Sequence, residues 1–308
     1  MNPGLLRTIP ASTATRPGTR LQLDLFVHNR EVVLRNAATE ALFKRDGQAA
    51  REALAALAAE YPDDRLLRPM RVLLEAMRPP VERLASHEQA AHALRALDTE
   101  IVPSAAEVFE ADRAQAWLAP LWFALARAAQ DLPYDPRFPD THAAALLLRG
   151  GDGPAAAESI AAIPSWQRIP APLAWMARAR FAAGGLESAW GLMAELAWID
   201  APRLGTLARR LASPQLDRLL QDFDAGFQPE DEGELAWFPA WALVVEPGLA
   251  LAFRGAQPGE HAGPERAARL VASLLALERQ GRHAEMVERR KHLRELQPKL
   301  FARYMATR

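Results

Sequence analysis

The chain has 308 residues, 37 Lys and Arg against 38 Asp and Glu, a formal charge of −1, no Cys, and Ala at about a fifth of all positions. Near-zero charge excludes a global pull toward nucleic acid or an anionic membrane, and the lack of Cys excludes disulfides, thiolate metal sites and a Cys nucleophile. Abundant Ala with few β-branched residues points to an all-α chain, long enough for two domains or one elongated repeat array.

Residues 1–20 carry Arg7, Arg16 and Arg20 and no acid, and Leu5-Leu6 is too short for a secretory apolar core. The stretch reads as a disordered tail rather than a transit peptide. No run approaches about 18 apolar residues, so no membrane span is expected and the chain reads as cytoplasmic. The basic residues are almost all Arg, with Lys only at Lys44, Lys291 and Lys299, a bias we read as that of a GC-rich bacterial genome.

A first long helix is expected over 23–45, with Leu25, Phe26, Val32, Val33 and Leu42 on its apolar side. Gly47 breaks it, a second helix follows over 48–60, and Tyr61-Pro62 stops that one. A third covers 65–77 through Leu66, Leu67, Met70, Leu73 and Leu74, closed by Pro79-Pro80. Ser86-x-x-Gln89 and Ser104-x-x-Glu107 spell capping boxes, which start helices near 87–101 and 105–130. Pro120 predicts a kink or split in the second of these. The Pro-rich segment 132–139 is the clearest connector.

Beyond it the expected helices are short and regular: 141–149, 154–162, 171–183, 186–199, 202–211 and 214–223, the last started by Ser213-Pro214. The pattern lapses over 224–263, where Ala242–Phe253 reads as two short helices or a hairpin with a type II turn, and short helices are favoured. Helices over 264–280, 282–296 and 298–307 complete the chain. The resulting blocks are a tail (1–20), an N-terminal helical block (21–130) and a repeat block (140–308), with one continuous array over the last two as the alternative.

One phrase recurs: an apolar run, a short Gly-containing break, and an Ala-rich amphipathic run. It stands at Gly47, Gly151, Gly184 and Gly281. Each copy is two helices hinged at a turn, and such a pair buries its apolar face only by stacking on others. Gly151 with Ala156, and Gly184 with Ala189, lie one repeat apart, and Pro170 and Pro202 close the units. Over 140–202 the chain resembles tetratricopeptide repeats, which place a Gly at the inter-helix turn and a small residue five positions on. Gly47 and Gly281 depart from that pattern, with Glu52 and Met286 at the small position; Leu147 and Arg180 stand where the family has an aromatic. The resemblance implies a right-handed stack of antiparallel helix hairpins, a degenerate α-solenoid whose ends act as caps.

Chemistry-bearing motifs are sparse. His87 and His92 are five apart, about 140° around a helix, so His87-Glu88 is not the zinc motif it superficially resembles. The other histidines stand singly. Gly150-Gly151-Asp152-Gly153 has no preceding strand and no following Lys, so it reads as a turn rather than a phosphate cradle. The acidic run 222–234 does not match a calcium loop. No metal or cofactor is expected.

All eight Trp lie between Trp117 and Trp241, and large aromatics at helical spacing read first as core; Trp166, Trp175, Trp198 and Trp237 fall near expected helix ends or turns, where partial exposure would instead suit contact with a partner. Residues 219–253 hold no Lys or Arg, whereas the last helices are basic. That basic face, carrying Arg289, Arg290 and Arg294, reads as a solvated face laced by pairs such as Glu285–Arg289, or as a surface for an acidic partner. The function expected is a non-catalytic interaction module or scaffold holding a protein or peptide in a groove. The family's groove, carried onto this chain, is lined by 141–149, 171–183 and 202–211, with Trp175, Arg178, Arg203 and Arg210 as contacts. Nucleic acid is not expected as a partner, because no aromatics interleave the basic run. The alternatives are an enzyme with two or more acids in a cleft, or a structural subunit of a larger assembly.

Overall fold

A computed structural model describes residues 18–78, 83–260 and 262–308, with side chains from Arg30 on except at 232. The chain forms two compact units, Met1–Pro79 with Arg95–Leu118 and Pro80–Leu94 with Ala119–Arg308. Its elements are helical, and no strand occurs among the described residues. Of the tail expected over 1–20, residues 1–17 lie outside the described ones, as do Pro79-Pro80, His261 and the side chains of Leu25, Phe26 and His28.

In the first unit α1 (Gly18–Phe43) packs on α2 (Gly47–Glu60), which packs on α3 (Leu67–Ala76). The stripe that α1 turns inward is Leu34, Ala38, Ala41 and Leu42, at helical spacing. Val32 and Val33, expected inside, are 46% and 58% exposed, because the small alanines, not the valines, set the face against α2. The turn to α2 is also not at Gly47. Arg45 takes the left-handed conformation (φ 55°), and Asp46 caps α2 by accepting from Gln48 N at 3.2 Å and Ala49 N at 3.0 Å. Arg45 is held there by its guanidinium, which lies 4.5 Å from the Trp117 ring and donates to Trp117 O at 2.5 Å.

Helix α4 (His87–Ala96) starts at the expected capping box: Ser86 Oγ accepts from Gln89 N at 3.3 Å, and Gln89 Oε1 accepts from Ala85 N at 2.9 Å. The Ser104 box is not used. A π-helical turn, Leu97–Ile101, carries α4 straight into α5 (Val102–Val108), which leaves Ser104 buried inside the helix. Pro103 explains the turn, since its missing N–H already breaks the ordinary ladder and one extra residue per turn absorbs the defect. The chain then extends at Phe109 (φ −118°, ψ 153°), and α6 (Ala111–Ala128) begins. The split expected at Pro120 lies at Phe109 instead, and α6 continues past the proline.

The second unit opens with α7 (Ala143–Gly150) and α8 (Gly153–Ala161), joined at Gly151 in the left-handed conformation (φ 90°). Helix α9 (Pro170–Ile199) is broken internally at Gly184 and Gly185, the latter at φ 69°, so the two expected helices exist as two halves. Then come α10 (Ala201–Leu211) and α11 (Pro214–Phe227), the latter capped by Ser213 as expected, with Oγ accepting from Leu216 N at 3.3 Å. The segment 224–263 contains short helices, not a hairpin: a 3-10 turn Glu232–Trp237, α12 (Phe238–Val245) and α13 (Leu249–Phe253). Helices α14 (Gly263–Gln280), α15 (His283–Leu296) and α16 (Pro298–Ala306) end the chain. Neighbours in sequence pack together from α7 through α10 and from α14 through α16. Between them lies an aromatic core: Phe223 meets Phe238 at 5.8 Å and Trp241 at 6.0 Å, both edge to face, and Trp190 meets Phe238 at 5.9 Å. Trp117, Trp122, Trp190 and Trp241 are buried, while Trp166, Trp175, Trp198 and Trp237 remain partly exposed.

Candidate functional site

Three places in the second unit gather side chains capable of recognition. The first is the face of α7, the first half of α9 and α10. The connector 132–139 brings Tyr134 to it. His142 ends the connector and caps α7, its Nδ1 accepting from Ala144 N at 3.2 Å. Trp175 stacks on His142 (5.9 Å, 13°) and meets Tyr134 edge to face (6.0 Å, 75°). Arg178, one helical turn beyond Trp175, donates to Leu148 O at 3.1 Å, at the negative end of α7. Burial pushes the Arg178 guanidinium below its ordinary pKa, and the charges of Arg210 and Arg149 push the same way. Arg149 lies over the Trp122 ring at 4.1 Å. Arg203 is engaged by Asp200, Nε to Oδ2 at 3.0 Å, while Asp200 Oδ1 accepts from Arg203 N at 3.0 Å and caps α10. Among the described residues neither Arg178 nor Arg210 has a carboxylate partner. Trp175, Arg178 and Arg210 are therefore brought to one face; Arg203 lies beside it, already neutralised.

The second place is the basic C-terminal face, whose residues are not equivalent. Arg290 turns inward: its Nε and Nη2 each reach Tyr304 Oη at 3.4 Å, and the Tyr304 hydroxyl donates to Glu278. Arg289 lines an open groove of about 580 Å³ with Arg266, Arg269 and His292 over an aliphatic floor of Leu270 and Leu296. Arg294 is exposed. The pair expected between Glu285 and Arg289 does not form; Glu285 binds Arg282 at 2.5 Å, because the shorter reach at the start of α15 favours the residue preceding the helix. The acidic and basic segments of the C-terminal third are partly joined within the chain, by Arg303 with Asp222 at 2.5 Å and by Lys299 Nζ on Phe227 O at 2.8 Å.

The third place was missed by sequence reasoning. Arg168, Glu195, Trp198 and Glu265, with the loop residues Gln257, Gly259, Glu260 and Ala262, line a cavity of about 280 Å³. Both carboxylates are buried, 4% and 1% exposed. The loop is pinned at four backbone groups: Gln257 N donates to Glu195 Oε1 at 2.8 Å and Gly259 N to Glu265 Oε1 at 3.0 Å, while Gln257 O accepts from Arg269 at 3.1 Å and Pro258 O from Arg168 at 2.7 Å. Desolvation pushes the Glu195 carboxyl above its ordinary pKa, against the Gln257 hydrogen bond and the charges of Arg168 and Arg269. The one signal in the sequence was a lone Glu in the apolar run 189–199.

Elsewhere His87 stacks on Phe138 at 5.7 Å, with Nδ1 at 3.1 Å from Thr141 Oγ1. Among the described residues no three His, Cys, Asp or Glu converge as metal ligands, and no helix is long and apolar enough to cross a membrane. Comparison of the chain with protein-family models, curated proteins and solved structures gave no match.

Proposed function

We propose that this chain is a non-catalytic interaction module that binds an acidic segment of a partner protein on the face of α7, the first half of α9 and α10. In this reading the second unit is a tetratricopeptide-like, right-handed stack of helix hairpins. Sequential packing of α7 through α10 supports it. So does the full burial of Ala156 and Ala189 beyond the glycine turns, where close helix approach requires a small side chain.

The observation that carries the proposal is the pairing of unneutralised charge with an aromatic surface. Arg178 and Arg210 sit close enough to repel, no carboxylate among the described residues pairs with either, and Trp175 lies one turn away from Arg178. An acidic segment removes that repulsion and gains a ring to pack on, the combination that concentrates binding energy at interfaces. Arg203, already bound by Asp200, contributes less.

Titration calorimetry with short Glu-rich peptides and their Gln counterparts tests this reading. The Glu peptides are expected to bind at least about tenfold more tightly, a difference of ~1.4 kcal/mol. Arg210→Glu, at an exposed position, is expected to abolish the preference, and Trp175→Ala to weaken both sets. Equal binding of the two sets, or an undiminished preference in the Arg210→Glu protein, would overturn it.

A further inference from the structure

We propose that the cavity beside Glu195 is a binding site for a small ligand bearing an ammonium group. The site is separate from the arginine face and does not depend on that reading. Its central fact is a carboxylate in the wrong place for a purely structural role. Glu195 is 4% exposed, on the second half of α9, and among the described residues its carboxylate accepts one hydrogen bond, from Gln257 N to Oε1 at 2.8 Å. Among the described residues Oε2 accepts no hydrogen bond, and no Lys or Arg forms an ion pair with the carboxylate. A neutral Gln would hold the loop amide equally well through its carbonyl oxygen. The negative charge is thus surplus to the fold, and a buried charge without a partner is costly.

The surroundings fit a cation. Among the described residues Glu265 and Glu260 add two acids to the lining, against one base, Arg168. Arg269, just outside, is committed to Glu265 at 2.9 Å and to Gln257 O at 3.1 Å, so it does not neutralise Glu195 by contact. Trp198 forms a wall, an aromatic surface of the kind that attracts a cation and one that already has the Arg269 guanidinium 5.7 Å from its ring centroid. At about 280 Å³ the cavity sits at the lower end of ligand pockets, which suits a compact amine. A divalent metal ion is a poorer occupant, since it requires several oxygens converging on one point, and Glu265 is already spent on Gly259 N and Arg269.

The test uses n-butylamine as probe and butyrate as its anionic control, each titrated into the full chain at equal ionic strength by saturation-transfer NMR. Two variants accompany the wild type: Glu195→Gln, which preserves the acceptor for Gln257 N, and Ala262→Phe, which puts bulk on an exposed position lining the cavity and leaves Glu195 untouched. Saturable binding of butylamine but not butyrate, weakened at least about tenfold in each folded variant, is the expected result. Should Glu195→Gln not fold, the Ala262→Phe protein carries the comparison alone. Butylamine binding no tighter than butyrate, or binding that persists in a folded variant, would overturn the proposal.

Discussion

Asp222 offers the sharpest test of how the second unit is held together. Its Oδ1 accepts from Trp241 Nε1 at 2.7 Å, and its Oδ2 meets Arg303 at 2.5 Å, so one carboxylate ties α11 to both α12 and α16. Trp241 is 2% exposed, and among the described residues its indole N–H has no other acceptor. Replacing Asp222 by Ala leaves that donor buried and unsatisfied, at a cost of about 1–3 kcal/mol. The Arg303 ion pair is partly exposed, 33% and 32% for its two side chains, so it adds only about 0.2–1 kcal/mol. Arg303 Nε is already buried without an acceptor and gains none. Together these amount to about 1–4 kcal/mol for Asp222→Ala. Asp222→Asn keeps a carbonyl oxygen for the indole and loses the charge, so it is expected to cost about 1 kcal/mol or less. Urea denaturation of the two variants and the wild type, followed by tryptophan fluorescence and by circular dichroism, measures the difference. If Asn proves as damaging as Ala, the ion pair and not the indole hydrogen bond dominates, and the reasoning fails.

Three further predictions concern backbone conformation and pH. Ala212 ends α10 in the left-handed region (φ 46°) at an exposed position, so Ala212→Gly is expected to stabilise by a few tenths to about 1 kcal/mol. Gly151→Ala, at φ 90° with open space around it, should lose about 1 kcal/mol or more from conformation alone; thermal melts check both signs. His142 is held below its ordinary pKa of 6.5 by burial first and the charge of His87 second, and protonating Nδ1 also removes the acceptor that caps α7. The unfolded chain therefore takes up this proton at higher pH than the folded one, and stability falls as pH drops below about 6.5 toward the depressed folded value. His142→Asn keeps a cap acceptor without a titrating group, so its urea midpoint is expected to fall less between pH 7 and about 5; parallel slopes for the two proteins would refute the assignment.

Much of the candidate site was legible as parts. The four tryptophans at expected helix ends are the four left partly exposed, because a helix end has fewer neighbours to cover a large ring. Trp175 and Arg178 share a face by their spacing alone. What spacing could not give was each charge's partner. Arg203 and Arg178 look alike in the sequence, yet Asp200 neutralises the first while, among the described residues, a main-chain oxygen meets the second. Arg289 and Arg290 are adjacent, yet one lines a groove and the other is spent on Tyr304.

The all-α class, most helix boundaries and the hinges at Gly151 and Gly184-Gly185 are legible in short windows of the chain. These depend on forces acting within a few residues: capping oxygens, apolar periodicity, and the freedom of glycine at positive φ. Tertiary structure alone decided the register that exposes Val32 and Val33, the bond between Asp222 and Arg303 across 81 residues, and the burial of Glu195 beneath a loop 62 residues away. Those outcomes follow from which helices dock against which. Docking is set by the summed fit of many side chains, so no local window of the chain contains it.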